Sequence, residues 1–247
     1  MARWPAGVGL LRLETVDSTN EEARRQADAG APAPLWIVAR TQTAARGRRG
    51  RAWAAPAGNL CATCLLRPNG GARQAALLSF AACLAVADMF AAIAPGADVS
   101  LKWPNDALLN GRKAAGVLLE GAGAGGDLAW MAVGIGVNLA HHPAPAPDAW
   151  PPTSVAAETG AAPDPDDAML ALAEAFARWT GTLERDGFRP LRAAWLARAA
   201  RLGQKLIARL PLETVEGVFA DVDDEGALVL SQGGALRRIQ AADVYFA

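Results

Sequence analysis

The spacing of apolar and polar residues predicts an alternation of strands and helices along most of the chain. Period-two alternation and β-branched runs predict strands over residues 35–40, 60–66, 99–103, 108–110, 112–120 and 128–139. Apolar positions three and four apart predict helices over residues 18–30, 74–93, 165–184 and 190–202. Asn110-Gly111, between two strands, is a strong hairpin signal. Because hairpins outnumber strand–helix–strand units, we predict an α+β body.

Capping residues mark where two of these helices begin. Ser18 is followed three residues later by Glu21, the spacing of a capping box, in which each side chain bonds the backbone N–H of the other residue. Asp164 followed by Pro165 supplies an N-cap and a first-turn proline to the third helix. Both helices therefore have defined starts.

The pattern changes after residue 203, where short strands and tight turns replace the longer elements. These strands are predicted over residues 205–210, 214–222, 227–230 and 236–239. They indicate a small β-barrel-like module, which is short for a unit that folds alone. We therefore predict two domains, residues 1–203 and residues 204–247.

Composition indicates a soluble, cytoplasmic protein with a substantial core. The 247 residues are 52% apolar and 20% charged, with a formal net charge of -1. Three cysteines are too few for a disulfide framework, which favours a reducing compartment. The N-terminal segment lacks the apolar stretch of a signal peptide. The apolar run over residues 75–93 is rich in alanine and carries Asp88, so we predict a buried helix and no membrane association.

Four arginines and two glycines crowd into residues 46–51, just before Trp53. In a chain of balanced charge this cluster predicts a nearby anion. Like charges ~4 Å apart repel by roughly 4 kcal/mol at an effective dielectric of 20, and an anion between them would offset that repulsion. Arginine forks bind phosphate or carboxylate, and glycines let the backbone approach such a group. We favour a ligand-binding loop, while a nucleic-acid tract and a solvated surface loop stay open. No G-x-x-x-x-G-K-[ST] occurs, so the segment is not a P-loop.

Lysine is rare in this chain, and two of its three lysines, Lys102 and Lys113, lie eleven positions apart. A lysine kept in an arginine-rich chain can mark a site that needs a compact ammonium, although compositional bias explains it equally well. Segment 102–106 (KWPND) brings a cation, an amide and a carboxylate to a strand end, as a site does. An ordinary turn has similar chemistry. Lys113 is followed by small residues, which permit close packing.

Glycines interrupt the last predicted strand of the body at Gly134 and Gly136, shortly before Asn138. Two glycines in a strand mark a bulge or a close approach, and without a following helix they are not the dinucleotide motif. Cys61 and Cys64 have no second cysteine pair and face opposite sides of a strand. We therefore predict no metal or redox role for them.

Taken in order, these motifs resemble those of biotin protein ligases, and the resemblance covers essentially the whole chain. The matching segments are Ser18-Thr19-Asn20, Gln42 with the arginine loop, residues 102–106, residues 112–116 and residues 134–138. The resemblance implies a mixed, largely antiparallel central sheet packed with helices, like that of class II aminoacyl-tRNA synthetases. It also implies a small C-terminal SH3-like β-barrel.

The resemblance implies an ATP-dependent, AMP-forming ligase. The biotin carboxylate attacks the α-phosphate of MgATP, which gives biotinyl-5'-AMP and pyrophosphate; a carrier-protein lysine then attacks the adenylate and releases AMP. The implied cofactors are ATP and Mg²⁺, with biotin as substrate and no metal ligand assigned. The implied partner is the biotin carboxyl carrier domain of acetyl-CoA carboxylase or a related carboxylase. The family allows a weak homodimer, and we expect neither DNA nor membrane binding.

The resemblance also implies roles for individual residues. Biotin would contact Ser18, Thr19, Asn20, Gln42, Arg46, Gly47, Arg48, Lys113 and Gly116. ATP and the adenylate would contact Arg46, Arg48, Arg49, Arg51, Trp53, Lys102 and Asn138. The catalytic residues would be Arg48, Lys113, Lys102 and Asp106. Asp106 would either assist the attacking lysine or position the metal.

Two features depart from the family pattern. Ala45 stands where the family has glycine, and we expect it to restrict a positive φ there. Only 17 residues precede Ser18, so we expect a monofunctional enzyme without an N-terminal DNA-binding domain. Two alternatives remain. One is a lipoate or octanoate ligase or transferase on the same fold, and the other is a nucleic-acid-binding module.

Overall fold

The chain forms one large and one small β-sheet, packed with helices. A computed structural model describes residues 3–68, 71–124, 127–146, 150–240 and 242–246. The strands of the large sheet are β1 (Gly9–Val16), β2 (Leu35–Gln42), β3 (Leu60–Leu66), β4 (Val99–Lys102), β5 (Asp106–Leu109), β6 (Arg112–Ala124) and β7 (Asp127–Val137). The helices are α1 (Thr19–Asp28), α2 (Ala72–Ala76), α3 (Leu78–Ile93), α4 (Val155–Thr159), α5 (Pro165–Asp186) and α6 (Phe188–Leu196).

The large sheet is mixed and mostly antiparallel, as the family resemblance implied. Its strand order is β1-β2-β3-β7-β6-β5-β4. β1 and β2 run parallel, and the other neighbours pair antiparallel. Asn110 and Gly111 both have positive φ in the turn from β5 to β6, which confirms the predicted hairpin. β1 was not predicted, because this edge strand buries none of its residues fully and its alternation is weak.

Helix α3 forms the centre of the core. It packs against the large sheet and α5, and Phe176 of α5 meets Trp36 of β2 edge to face, with ring centroids 5.4 Å apart. The helix predicted over residues 74–93 is divided at Leu77 into α2 and α3. Within the described part of the chain, Arg73–Ile93 has the length and hydropathy of a membrane span, but 61% of its most apolar stretch is buried inside the protein. A core helix has this character.

Helix α1 packs on the opposite face of the sheet, through a small apolar cluster. The cluster consists of Ala23, Ala27, Ile37, Leu65 and Ala132. Successive residues of a strand point to opposite faces, so β2 sends one side chain to the α3 core and the next to α1. This packing holds the start of α1 beside the ends of β2 and β3.

The start of α1 is capped differently from the prediction. Ser18 accepts a hydrogen bond from the Asn20 N–H, so the N-cap is confirmed. The capping box itself is wrong, since Ser18 accepts from Asn20 and not from Glu21, and Glu21 does not bind the Ser18 N–H. The Ser18 N–H donates to Asp17, and the Glu21 carboxylate binds Arg24 and Arg46 instead. Charged donors are stronger partners for a carboxylate than a backbone N–H.

The small sheet is antiparallel, with strand order β11-β10-β9-β8-β12. Its strands are β8 (Lys205–Arg209), β9 (Thr214–Val222), β10 (Leu228–Gln232), β11 (Ala235–Ile239) and β12 (Asp243–Phe246). The fold class, an α+β body followed by a small β module, is confirmed. The short strand β12 was missed, and the helix predicted over residues 190–202 begins and ends earlier, as α6. The domain boundary after residue 203 stays a prediction.

The small sheet is docked against the large domain. Trp103, in the turn between β4 and β5, donates through Nε1 to the Gly226 carbonyl at 3.0 Å. Trp195 of α6 meets Phe80 and Phe219 edge to face, at 5.5 and 6.4 Å between ring centroids. The β4–β5 turn is therefore anchored from the side of the small sheet.

Candidate functional site

One cavity collects most of the residues that the sequence motifs indicated. It has a volume of about 520 Å³ and lies between the start of α1, the arginine loop, the β4–β5 turn and a floor formed by β6 and β7. Strand β12 closes one side. Its lining includes Ser18, Thr19, Asn20, Gln42, Arg46, Gly47, Arg48, Arg51, Trp53, Lys102, Asp106, Lys113, Gly116, Gly134, Gly136, Asn138 and Asp243. Arg49 is the one predicted contact residue that does not line it.

One end of the cavity is lined by uncharged hydrogen-bonding groups, Ser18, Thr19, Asn20 and Gln42, to which the fully buried Thr63 is bonded. We call these five residues the neutral end. The Thr19 N–H donates to Gln42 Oε1 at 2.7 Å. The Thr63 hydroxyl lies 2.8 Å from the Thr19 hydroxyl and 2.7 Å from Asn20 Oδ1. Ser18, Thr19, Asn20 and Thr63 are buried. The α1 N-cap and the ends of β2 and β3 thus fix a dense polar network.

Two members of this region were missed from sequence. Thr63 is fully buried in β3, and Glu120 of β6 accepts a hydrogen bond from Asn20 Nδ2 at 2.7 Å. Each carried a signal, since Thr63 is a hydroxyl residue within an apolar strand and Glu120 is the one acidic residue in β6. A fully buried hydroxyl such as that of Thr63 needs a hydrogen-bond partner.

The opposite end contains Arg48, Lys102, Asp106 and Lys113, and we call it the charged end. Asp106 begins β5 and was predicted in a turn. It pairs with Lys102 in the β4–β5 ladder. Its carboxylate lies 2.6 Å from Lys113 Nζ and 3.6 Å from Lys102 Nζ. The Lys102 and Asp106 side chains are only 8% and 10% exposed, while that of Lys113 is 27% exposed and reaches the cavity.

Burial and charge act against each other at the charged end. Burial would raise the pKa of the Asp106 carboxyl, but Lys113, Lys102 and Arg48 outweigh it and hold that pKa below its ordinary value. Burial lowers the pKa of Lys102, and Asp106 opposes this. Burial also lowers the pKa of Arg48. Three cations around one carboxylate leave a positive end that suits anions.

Arg48 is held in place by Asn105, another residue without a role in the sequence prediction. Arg48 Nη1 donates to Asn105 Oδ1 at 3.3 Å. Asn105 Nδ2 donates to the Val117 carbonyl at 2.6 Å, and the Val117 N–H returns a bond to the Asn105 carbonyl at 2.9 Å. The β4–β5 turn therefore positions one arginine of the loop against β6.

The glycines of β6 and β7 clear space for two side chains on the cavity floor. A Cβ at Gly134 would lie 2.3 Å from Asn20 Oδ1, and a Cβ at Gly136 would lie 2.5 Å from Trp53 Nε1. A Cβ at Gly116 would approach the Trp53 ring to 3.3 Å. The predicted close approach is thus confirmed. Gly134 leaves room for Asn20 of the neutral end, and Gly136 leaves room for the aromatic ring of Trp53.

The arginine loop folds back on itself as an irregular hairpin. Arg46 and Ala52 form an isolated bridge, the Gly47 N–H donates to the Arg51 carbonyl at 2.7 Å, and the Trp53 N–H donates to Ala45 at 3.1 Å. At its tip Arg49 has φ 58° and Gly50 has φ 70°. Ala45 does not adopt a positive φ, and its expected restriction of the loop stays a prediction. The non-glycine residue at positive φ in this loop is Arg49, and Ala45 accepts a hydrogen bond at the loop base.

The other loop arginines pair with carboxylates around the cavity. Arg46 binds Glu21 through Nη2, and the same atom lies 3.5 Å from Glu120. Arg49 and Arg51 lie 2.8 and 3.1 Å from the carboxylate of Asp243. Because Asp243 belongs to β12, these two ion pairs join the arginine loop to the small sheet.

Two further predicted residues line the cavity beside the charged end. Trp53 lies under Lys113 Nζ, 5.5 Å from ring centroid to nitrogen, a cation–π distance. Asn138 donates through Nδ2 to the Thr153 carbonyl at 2.9 Å, whereas its buried Oδ1 has no hydrogen-bond partner among the described residues. A buried acceptor of this kind is an available ligand contact.

Comparison with known families gives a clear match. Residues 13–138 match the Biotin/lipoate A/B protein ligase family, and residues 202–247 match the Biotin protein ligase C terminal domain. The chain belongs to this ligase family. In the part of the chain that the structure describes, no three His, Cys, Asp or Glu side chains are grouped to hold a metal ion.

Individual members of the ligase family resemble the chain along nearly all of its length. A biotin–[acetyl-CoA-carboxylase] ligase of Paracoccus denitrificans is 51% identical over 238 residues, which are 95% of this chain and 99% of the relative. The biotin protein ligase of Leishmania major, solved with biotinyl-5-AMP, is 26% identical, with a TM-score of 0.61 over 96% of this chain and 100% of that chain. The Aquifex aeolicus biotin protein ligase, solved with biotin and ATP, shares the fold, with a TM-score of 0.83 at 23% identity, over 97% and 99% of the two chains.

Proposed function

We propose that this protein is a biotin protein ligase, which activates biotin with MgATP to biotinyl-5'-AMP and transfers biotin to a lysine of a carrier protein. The 51% identical ligase of Paracoccus denitrificans supports the activity. The observation that carries it is the joining of a neutral, hydrogen-bonded end and a buried cationic end in one cavity of about 520 Å³. Biotin has the same two parts, an uncharged ureido ring and a carboxylate.

The neutral end suits the ureido ring. A ureido group offers two N–H donors and one carbonyl acceptor, so it requires both kinds of partner in fixed places. Ser18, Thr19, Asn20 and Gln42 supply hydroxyl and amide groups that their own hydrogen bonds hold in place. A site built to hydrogen-bond such groups rejects analogues that lack them by large factors.

The charged end suits the reaction itself. A carboxylate oxygen of biotin attacks the α-phosphorus, a new P–O bond forms, and the bond to the β-phosphate oxygen breaks to release pyrophosphate. Two anions have to meet, and fixed cations offset their repulsion without reorganisation. Lys113 would hold the carboxylate, and Lys102 and Arg48 would hold the α-phosphate. Mg²⁺ would arrive with ATP as MgATP, a mode in which substrate phosphates supply most ligands.

Asp106 has a positioning role in this proposal. Lysines hold its pKa below the ordinary value, and its two oxygens face Lys102 and Lys113. A carboxylate with a low pKa is a weak proton acceptor, so it serves better to keep both ammonium groups in place than to deprotonate the incoming lysine.

The nucleotide would extend past Trp53 and Asn138. The unpaired Asn138 Oδ1 can accept from the exocyclic amine of adenine, and the Trp53 ring can shield the adenylate from water. Arg46, Gly47 and Arg51 line the same cavity and would cover the adenylate, with Gly116 beneath it. Arg49 would contribute through the loop tip, since it does not line the cavity.

In the second half-reaction a lysine amine of the carrier attacks the acyl carbon, and AMP leaves. The name of the Paracoccus denitrificans relative points to acetyl-CoA carboxylase as the source of that carrier domain. A cytoplasmic location is proposed as well, because all three cysteines are free, as expected in a reducing compartment.

The proposal is tested by incubating the protein with MgATP and labelled biotin, then adding a biotin carboxyl carrier domain. Biotin-dependent exchange of pyrophosphate into ATP, followed by labelling of the carrier, is expected. Lipoate and octanoate in place of biotin test the other branch of the family. Activation of either in preference to biotin would reject the biotin assignment.

A further inference from the structure

Glu120 connects two parts of the cavity through its two carboxylate oxygens. Oε2 accepts from Asn20 Nδ2 at 2.7 Å, in the neutral end, and Oε1 lies 3.5 Å from Arg46 Nη2, in the arginine loop. Its side chain is 36% exposed and contacts the cavity through two residues that line it, Asn20 and Arg46. One side chain thus touches both the predicted biotin pocket and the loop over it.

The chemistry of Glu120 dictates how the Asn20 amide is oriented. An ionised carboxylate only accepts hydrogen bonds, so Asn20 has to present Nδ2 to Glu120 and Oδ1 to the other side. On that side Thr63 has a single hydroxyl proton, which it donates to Asn20 Oδ1 at 2.7 Å. The Thr19 hydroxyl lies 2.8 Å from Thr63 Oγ1 and 3.1 Å from Gln42 Oε1, and its single proton serves one of these two acceptors. One carboxylate therefore sets the direction of a row of hydrogen bonds through Asn20 and Thr63, which ends at the Thr19 hydroxyl.

Steric limits leave this row little freedom. Asn20 is 6% exposed and Thr63 is fully buried. The Asn20 amide lies so close to Gly134 that a Cβ there would overlap it. A turned amide would set its oxygen against the Glu120 carboxylate and would leave the buried Asn20 amine without this acceptor, which is unfavourable.

Resting on the proposed function, we propose that Glu120 is a positioning residue for biotin recognition. It orients the Asn20 amide and hence decides which groups of the neutral end act as donors and which as acceptors toward the ureido ring. Through Arg46 it also links this arrangement to the position of the arginine loop.

The chain supplies a matched comparison in Glu21. Both carboxylates bind Arg46, but Glu21 also binds Arg24 and does not contact Asn20. Glu120→Gln leaves one acceptor for two donors, Asn20 Nδ2 and Arg46 Nη2. If its carbonyl turns to Arg46, its amine faces Asn20 Nδ2, and if its carbonyl turns to Asn20, its amine faces Arg46, so the orientation of the Asn20 amide is no longer fixed. Glu21→Gln removes the closer partner of Arg46 and leaves the row intact.

The test is biotin binding without ATP, by calorimetry, together with the ATP KM for adenylation at saturating biotin. Glu120→Gln is expected to raise the biotin Kd about tenfold or more, because a hydrogen bond to a charged group is lost. The ATP KM should change little. Glu21→Gln is expected to raise the biotin Kd less than about fivefold, since exposed ion pairs contribute little. Equal effects of the two variants, or equal effects on biotin and ATP, would overturn the positioning role.

A second pair of variants keeps the test independent of how Glu120→Gln folds. Thr63→Val removes the proton that Asn20 Oδ1 accepts, whereas Thr63→Ser keeps it. Thr63→Val is expected to raise the biotin Kd to a similar extent, and Thr63→Ser to bind within about threefold of the wild type. The Glu120→Gln, Thr63→Val double variant should cost little more than either single one, because both act on the same amide. Additive losses of biotin affinity in the double variant would contradict the connection of Glu120 and Thr63 through Asn20.

The two proposals fail in different ways. If the wild-type protein forms no biotinyl adenylate, the proposed function is wrong and the Glu120 assignment falls with it. If the wild type forms adenylate and Glu120→Gln binds biotin as tightly as the wild type, only the positioning role is wrong.

Discussion

The neutral and charged ends share the floor of β6 and β7, yet they fix their polar groups by different means. At the neutral end, hydroxyl and amide groups hold one another, and geometry determines donor and acceptor. At the charged end, Lys102 and Lys113 are held by the single carboxylate of Asp106. The first arrangement is suited to recognising an uncharged ring. The second is suited to bringing two anions together.

The difference indicates which kinetic constants each end controls. Hydrogen bonds that form equally in the substrate and transition state lower KM without raising kcat. Charges aimed at a developing transition state act on kcat. Variants at the neutral end should therefore change biotin affinity, and variants at the charged end should change the rate of adenylation.

Lys113→Ala is expected to have the largest effect. It removes the cation 2.6 Å from Asp106, on the side of the cavity where the carboxylate would lie. The adenylation rate at saturating substrates should fall by at least about 2 kcal/mol, roughly thirtyfold. Single-turnover formation of labelled biotinyl adenylate measures it. Lys205→Ala, at the exposed start of β8, is the matched control and should keep the wild-type rate.

Alanine substitutions of two glycines on the cavity floor should have the next largest effects, one at each end of the cavity. Gly134→Ala would crowd Asn20, and Gly136→Ala would crowd Trp53. Overpacking costs about 1–3 kcal/mol, so we expect roughly tenfold effects. Gly134→Ala should raise the biotin Kd, whereas Gly136→Ala should raise the ATP KM. If both variants changed the same constant, the assignment of the two glycines would be wrong.

Asp106→Asn should change the pH profile. Burial lowers the pKa of Lys102, and the Asp106 carboxylate opposes that effect. Without the carboxylate the pKa falls further, so Lys102 loses its proton at a lower pH. The basic limb of the kcat profile for adenylation should therefore move to lower pH in Asp106→Asn. A limb that stayed in place or moved to higher pH would exclude Lys102 as the group that titrates.

Asp243→Asn is expected to have the smallest effect. It removes the partner that the small sheet offers to Arg49 and Arg51, which are 42% and 59% exposed. Exposed pairs contribute about 0.2–1 kcal/mol, so the ATP KM should rise less than about fivefold. The difference should vanish at ~1 M salt, where the Debye length is about 3 Å. Asp186→Asn, at an exposed pair in α5, serves as control.

Local signals in the sequence predicted the parts of the site that depend on neighbouring residues. The N-cap at Ser18, the Asn110-Gly111 turn and the glycines at Gly134 and Gly136 each act over a few positions, and each is confirmed in the structure. The turn before Asp106 was predicted with the wrong extent, because its ends depend on pairing between β4 and β5.

Contacts between distant residues could not be predicted in this way. Asn20 and Glu120 are 100 positions apart, and Arg49 and Asp243 are 194 apart. Nothing in the local pattern of either residue identifies its partner. The positive φ of Arg49 was not predicted for a related reason, since φ within a loop depends on the path of the entire loop.

The most direct test of the two-ended site is a side-by-side comparison of Asn20→Ala and Lys113→Ala in single-turnover adenylation, over a range of labelled biotin concentrations at saturating MgATP. Asn20→Ala should shift half-saturation to higher biotin and leave the plateau rate close to that of the wild type. Lys113→Ala should lower the plateau even when biotin saturates. If Asn20→Ala lowered the plateau as far as Lys113→Ala does, the division of the cavity into a recognising and a reacting end would be contradicted.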